Sequence, residues 1–544
     1  MKHYLQKSVR PAWILLAAAS FTLLLYGACS DSASASAGWD ADGGTDGDTD
    51  GDTDGDGDMD SDTDGDTDPP EEEEPVDYRV PQGSGRYVFI ADQANDAVVV
   101  VDSETLVIDV VDVGARPTHL VPLAQDDAAA VIAIDSDEVT IIRVNASGIP
   151  ETVDVEVRPD TNALAVSNDG TFVIAFYDSL FAEETGPPGT DQEISVIVTT
   201  AGAPEVFHMT VGMHPQRIVF NEDETRALVI TEEGINIIDL SDLSSVGIPP
   251  QITMFDSTLV DPSTVEIAID PSGTLAVARE EGSSTVVTAS LDGTADVRTY
   301  LLPGVPTDLD ISPDGSFGLF IIRETAQAAV FSLPLPLNSL QDPFEYVNLG
   351  NLVCGVATIT PDGDSALLHT TVGGDETDRK VLTSMTWTGL EWNVSSTLLE
   401  RQIKSVAAGT DSNTAVVIHQ PVSATYTTFA NAYSLVNLLA LQVKFQQIPV
   451  SPGQLLLTPD GGSGFLLLRD DIKGIRQTDI INMNTFIVDN LVLGSPPTAS
   501  GYSQGTDKVF IAQDHPAGRM TFIGVQDGMV KTVTGYALND EITD

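Results

Sequence analysis

Asp92, Asp135, Asp178, Glu232, Arg279, Arg323, His369, His419, Arg469 and Asp514 stand at near-regular intervals along a chain of 544 residues, each closing a short apolar run. The first four are acids, and five of the other six are cationic or histidine. Gathered round one opening, they would set opposite charges across it and orient a dipolar or anionic ligand. The plainer reading is that strand ends are polar because they meet water. Arg116 and His119 in Ala-Arg-Pro-Thr-His-Leu, with His214 and Arg217 in Met-His-Pro-Gln-Arg-Ile, form a second matched set two repeats apart. Histidines so matched could share a metal or a proton. Isolated histidines near loop ends more often hydrogen-bond locally, so no metal or other cofactor is expected in the body.

Other chemistry finds little footing. None of the seven histidines forms a His-x-x-x-His or His-Glu-x-x-His pair, which leaves a helical zinc hydrolase unsupported. No Gly-x-x-x-x-Gly-Lys-Ser/Thr loop cradles a phosphate, and no glycine fingerprint opens a helix. The 82 acids against 24 Lys+Arg give a net charge of −58, which would repel a nucleic acid. Two cysteines are too few for a disulfide framework.

The elements that must position these residues come from a repeat. Turn signals at Ser84-Gly85, Asp169-Gly170, Ser272-Gly273, Asp314-Gly315, Asp362-Gly363, Asp460-Gly461 and Gln504-Gly505, with glycine-free equivalents at Asp126-Asp127, Asp223-Glu224 and Asp411-Ser412, are spaced 42 to 54 residues apart. Each lies between β-rich runs, as in Leu-Asp-Ile-Ser-Pro-Asp-Gly-Ser-Phe-Gly-Leu-Phe, and Asp-Gly between such runs is a hairpin signal because glycine takes positive φ freely. The first period reads as four strands over Asp77–Val80, Tyr87–Ala91, Ala97–Asp102 and Val107–Val113. Only Ala432–Val443 has a helix-like apolar pattern. Four-stranded units of this length, repeated, predict an all-β fold, a β-propeller of about ten blades. A single ring is favoured, since no linker breaks the period; seven or eight blades, or two rings, are the alternatives. The marked turns then lie on one face. The loops between second and third strands, and the links between blades, lie on the other, where propellers place ligands.

Pro306, Ser312-Pro313-Asp314-Gly315, Val98-Val99-Val100-Val101-Asp102 and Asn236-Ile237-Ile238-Asp239 carry a resemblance to the YVTN type of propeller repeat, over about 465 residues and raggedly between 404 and 450. The resemblance speaks for the fold and not for a function. Some relatives of such repeats resemble carbohydrate lactonases. That implies an alternative in which His369 or His419, with Arg323, activates water and steadies an oxyanion at the channel mouth. The favoured reading is a non-catalytic, monomeric body that recognises or scaffolds a protein, peptide or glycan.

Residues 1–29, 30–77 and 78–544 form three compositional blocks with net charges of +3, −20 and −41. The first has a basic head and an apolar run from Ala12 to Ala28, and Leu25-Tyr26-Gly27-Ala28-Cys29 resembles a bacterial lipoprotein box, with Tyr26 where leucine is usual. The resemblance implies export and acylation of Cys29, hence a membrane partner through lipid. Ser30 favours the outer membrane or cell surface over the periplasmic side. The middle block is Asp/Gly/Ser/Thr-rich and reads as a disordered tether. Asp52, Asp54, Asp56 and Gly57 resemble half of a calcium loop, but Thr63 stands where the bidentate glutamate belongs, so only loose, nonspecific Ca²⁺ attraction is expected. Cys354, among apolar neighbours, reads as a lone buried thiol.

Overall fold

The computed structural model describes residues 80–537, apart from 124–126, 180–190, 201–202, 246, 257–258, 295, 336–341 and 424–428. Cys29, the acidic block and most of the loop from Tyr177 to Glu193 therefore lie outside the described residues. Ten four-stranded antiparallel sheets follow one another along the chain, each built from four consecutive strands, and they form a single ten-bladed propeller. Blade 1 comprises Gln82–Ser84, Tyr87–Asp92, Ala97–Asp102 and Ile108–Asp112. Its inner strand thus begins five residues later than the sequence suggested. Blade 10 ends with Val530–Thr534.

Within a blade the second and third strands are sealed on both faces. Ala97–Asp102 and Ala128–Ala133 are buried throughout, which is why they read as unbroken apolar runs, whereas outer strands such as Pro150–Glu156 are mostly exposed. Adjacent blades share apolar cores, such as Val173, Ala175 and Ile197 of blade 3 against Ile132, Val139 and Ile141 of blade 2. The apolar stretch from Ala432 to Val443 is not a helix. It is the hairpin between Asn431–Asn437 and Gln442–Ile448, with Leu441 in left-handed conformation at φ 51°.

The marked turns behave as their composition requires. Gly85, Gly170, Gly273, Gly315, Gly363 and Gly461 all have φ between 53° and 73°, and where glycine is missing Glu224 and Ser412 take the same conformation at 53° and 56°. Blade 10 differs: a short 3-10 turn occupies Gln504–Thr506 and Asp507 takes the positive φ instead. Each turn also touches the turn of the next blade. Arg86 N donates to Asp127 Oδ1 at 2.7 Å, Asp169 N to Glu224 Oε1 at 2.7 Å, and Asp362 N to Ser412 Oγ at 3.0 Å.

Inner strands leave one edge without a ladder, and side chains of the preceding or following blade satisfy part of it. Ser84 Oγ donates to Leu123 O at 3.0 Å, Arg217 to Ile267 O at 2.8 Å, and Thr307 Oγ1 to Gly355 O at 2.7 Å. Gln454 mimics a strand partner, donating to Ser500 O at 2.9 Å while accepting from Ser500 N at 2.6 Å. The ring shuts without exchanging a strand. Val88, Val99 and Val101 of blade 1 pack on Phe510, Met520 and Phe522 of blade 10. Lys508 spans the seam to Ser103 O and Glu104, each at 2.8 Å.

Candidate functional site

The loop face is built from the links between blades and the bends after each second strand. Several links end in a proline that opens the inner strand, such as Pro117, Pro215, Pro452 and Pro497, where the missing N–H is tolerated because the register there is broken by a bulge. Arg116 and His214 precede two of these prolines and share a left-handed backbone, φ 55° and 48°. Arg116 and His214 thus hold one structural position, whereas His119 falls at the position of Arg217, so the two histidines are not matched as the sequence suggested.

In both places the side chain reaches the end of the second strand. Arg116 pairs with Asp135 at 3.1 Å while its N–H donates to Asp96 Oδ1 at 2.8 Å. His214 is held between two carboxylates, Nε2 at 2.6 Å from Asp191 and Nδ1 at 2.9 Å from Glu232, the latter an ion pair off hydrogen-bond alignment. Glu232 and then Asp191 push the imidazole above its usual range against a smaller opposing effect of burial. A third tie joins Arg469 of blade 9 to Asp514 of blade 10 at 2.8 Å, with Asp471 also 2.7 Å from the guanidinium. Asp191 and Asp471 were not distinguishable in the sequence, because they sit at no repeated position; Asp96 recurs as Asp137, which accepts from Asp160 N at 3.1 Å, a match hidden by bends of unequal length.

The remaining predicted residues do not converge. Arg279 is fully buried, ion-paired to Glu266 and donating to Pro306 O at 3.2 Å. Asp178 is buried and its backbone is clasped by Asn162, which donates to its carbonyl at 3.0 Å and accepts from its N–H at 2.7 Å. Asp92 caps its own bend, accepting from Ala94 N and Asn95 Nδ2. His119 lies buried on the inner strand of blade 2, and Arg217 on that of blade 4 is exposed and bonds to blade 5. Arg323 extends from blade 6 over Gly355 and Gly373 of blade 7, so close that a Cβ on Gly355 would meet its guanidinium at 2.0 Å.

His369 and His419 end the second strands of blades 7 and 8. Leu367 and Leu382 of blade 7 share a core with Ala415 and Val417 of blade 8, and strand alternation puts both histidines on the walls of that same seam. Both are at most 3 % exposed, and burial holds each imidazole down at about 4. His419 Nε2 meets Ser434 Oγ at 2.7 Å and Nδ1 faces Gln402 O at 3.3 Å, the connectivity of a Ser–His dyad, but Ser434 has no exposure at all. Such a pair has no path for a substrate. Gly501-Tyr502-Ser503-Gln504-Gly505 likewise has the spacing of a serine nucleophile elbow. Ser503 is nevertheless buried and donates to Gly85 O at 3.0 Å across the closing seam, with only the 3-10 turn Gln504–Thr506 behind it and not the long helix of an elbow.

Among the described residues no group of three or more His, Cys, Asp and Glu could hold a metal ion. Two open surface clefts, about 580 and 390 Å³, lie beside Glu233, Met254 and Asp256 and beside Leu301, Gln327 and Tyr346, the first next in the chain to Glu232. Cys354 is buried, and burial lifts its thiol to about 11, as expected of an inert core residue.

No protein-family model matches the chain, and no curated protein matches it. Among solved structures it is similar to a eukaryotic initiation factor, at 12 % identity and a TM-score of 0.48 over 75 % of this chain and 97 % of that one. It is similar also to apo AztD from Citrobacter koseri, at 12 % identity and 0.38 over 75 % and 93 %, and to the C-terminal WD40 domain of Sif2, at 10 % and 0.37 over 64 % and 91 %. These partial likenesses assign no activity to this chain, whose fold rests on its own ten sheets.

Proposed function

We propose that this is a non-catalytic recognition or scaffolding propeller of the YVTN type, exported and tethered to a cell envelope by acylation of Cys29. The observation that carries the non-catalytic part is the state of the two histidines: a base buried on a blade seam and held near 4 neither reaches a substrate nor takes its proton at neutral pH. Arg116, His214 and Arg469, by contrast, are engaged in ties between neighbouring strands and blades, which suits a rigid platform. The loop face is the binding face this reading takes from topology, and a protein, peptide or glycan is the ligand class it proposes there.

The test compares the intact protein with a His369→Ala, His419→Ala double variant on simple γ- and δ-lactones. The expected result is no turnover by either. Turnover by the intact protein that the variant loses while its thermal midpoint stays comparable would establish the lactonase alternative. Mass analysis of the N-terminus after expression in a bacterial host, with Cys29→Ala as control, tests the anchor. Protease shaving of intact cells then tells the outer surface from the periplasm.

A further inference from the structure

The turns between third and fourth strands all lie on the face opposite the loops, at the rim of the ring. Hairpin tips are usually polar, since a turn presents backbone to water. Here they are not. Val107, Ile149, Ile248, Leu390, Leu439, Ile487 and Met529 are 53, 59, 80, 91, 80, 58 and 56 % exposed, and Val297, which opens the fourth strand of blade 5, is 39 % exposed. Eight blades thus each offer a large aliphatic side chain at or beside the tip of the same hairpin; the corresponding turns of blades 3, 4, 5 and 6 include residues outside the description. Blade 7 adds Trp387, 39 % exposed and 5.2 Å from Trp392 beneath the tip.

We propose that this rim seats the propeller on an uncharged lipid surface, the aliphatic tips entering the boundary between headgroups and acyl chains. Three observations choose this occupant. The topology sets every tip at the same end of its blade, so the fitting partner is flat. The tips are also separate, one to a blade, whereas a protein interface needs a contiguous apolar centre; a fluid bilayer takes isolated side chains one by one. The third is charge. Inside the rim the marked turns carry Asp127, Asp169, Asp314, Asp362, Asp411 and Asp460, and the body has a net charge of −41, so a second copy or an anionic membrane would be repelled. The inference draws on the proposed envelope location for its biological sense, but its chemistry does not depend on acylation of Cys29.

The experiment uses the chain from Ser30, which lacks the apolar leader and the cysteine yet keeps every described residue of the closed ring. It is floated with phosphatidylcholine vesicles and, separately, with vesicles containing phosphatidylglycerol. Expected is flotation with the first and at least tenfold weaker partitioning to the second at low salt. Ile149→Ser, Ile248→Ser, Leu390→Ser and Leu439→Ser together should lower partitioning to phosphatidylcholine at least tenfold, from the lost aliphatic burial. Leu259→Ser with Ile472→Ser, two exposed apolar residues on the loop face, should leave it unchanged. Failure of the unaltered chain to float, equal flotation of the rim variant, or concentration-dependent pairing of rings without vesicles would each overturn the proposal. None of these results bears on the anchor, which the mass of the N-terminus reads separately.

Discussion

At single residues, the structure separates glycines that are needed from those that are merely convenient. Gly363 has φ 73° and sits so near the preceding blade that a Cβ would come within 2.5 Å of Asp314 Oδ1, whereas Gly389 has φ 87° with nothing within 4 Å. Both substitutions to alanine meet the left-handed penalty, and only the first also pushes against a neighbouring turn. Gly363→Ala is expected to lower stability by about 2–3 kcal/mol and Gly389→Ala by about 1 kcal/mol in denaturant titrations. Equal losses would mean that the turns do not bear on one another. The two buried histidines make a second prediction. Because burial lowers their folded values to about 4, the native state binds protons less readily than the unfolded chain. Their stabilisation is complete above about 6.5 and is lost as pH falls toward 4. A His369→Leu, His419→Leu variant should therefore show a flatter thermal midpoint between pH 6.5 and 4 than the parent. Their place at strand ends was legible in the sequence; their burial was not, because it depends on which blade wall each residue faces.

At the level of the blade, the seam between blades 3 and 4 has titrating ties on both of its faces. On the turn face Asp169 N donates to Glu224, and the two carboxyl groups interact closely. Burial, and then Asp169, lifts Glu224 to about 7. Burial raises Asp169 as well, but hydrogen bonds involving Glu224, Thr171 and Ser167 outweigh it, leaving the group at about 2. On the loop face His214 stands between Asp191 and Glu232 with its pKa raised. The signs agree. Glu224 and His214 both have raised folded values, so Glu224 stabilises fully below about 4.5 and loses this as pH rises through about 7. His214 stabilises below about 6.5 and loses this above its folded value. Only Asp169 acts the other way, and its contribution fades solely as pH drops from about 3.8 toward 2. Hydrogen exchange at this seam, corrected for intrinsic rate, should quicken between pH 5 and pH 8, and Glu224→Gln should blunt the change, since a neutral amide still accepts from Asp169 N. A pH-independent seam would show that the carboxyl groups stay hydrated. Strand positions were largely readable from apolar runs and Asp-Gly turns. Ala432–Val443 misled because Leu438, Leu439 and Leu441 fill a hairpin tip that is polar in most proteins, turning two alternating strands into one continuous apolar stretch.

For the whole ring, the blade number was legible because each turn recurs once per sheet, whereas closure was not, since nothing in the repeat says whether the ends share a blade. They do not: blades 1 and 10 are each complete, and packing, the Gly505 N–Gly85 O bond and the contacts of Lys508, Ser503 and Thr506 join them. A permuted chain, opened in the link between blades 5 and 6 and joined from 537 to 80 by a flexible linker of about 15 residues, should then keep its thermal midpoint within a few degrees. A large loss would mean that the order of blades along the chain, and not their contacts, holds the ring. Long-range charge sets the opposing force. The body carries −41, while its described ion pairs are few and mostly exposed, as with Lys380–Glu376 and Arg469–Asp471, and exposed pairs of this kind contribute about 0–1 kcal/mol each. Salt weakens both the pairs and the repulsion, and the repulsion acts over the whole ring. Raising sodium chloride from 10 to 150 mM shortens the screening length from about 30 to about 8 Å, so the thermal midpoint should climb by several degrees. A midpoint that falls instead would show the ties between blades outweighing the repulsion, and the ring would be held by its charges and not in spite of them.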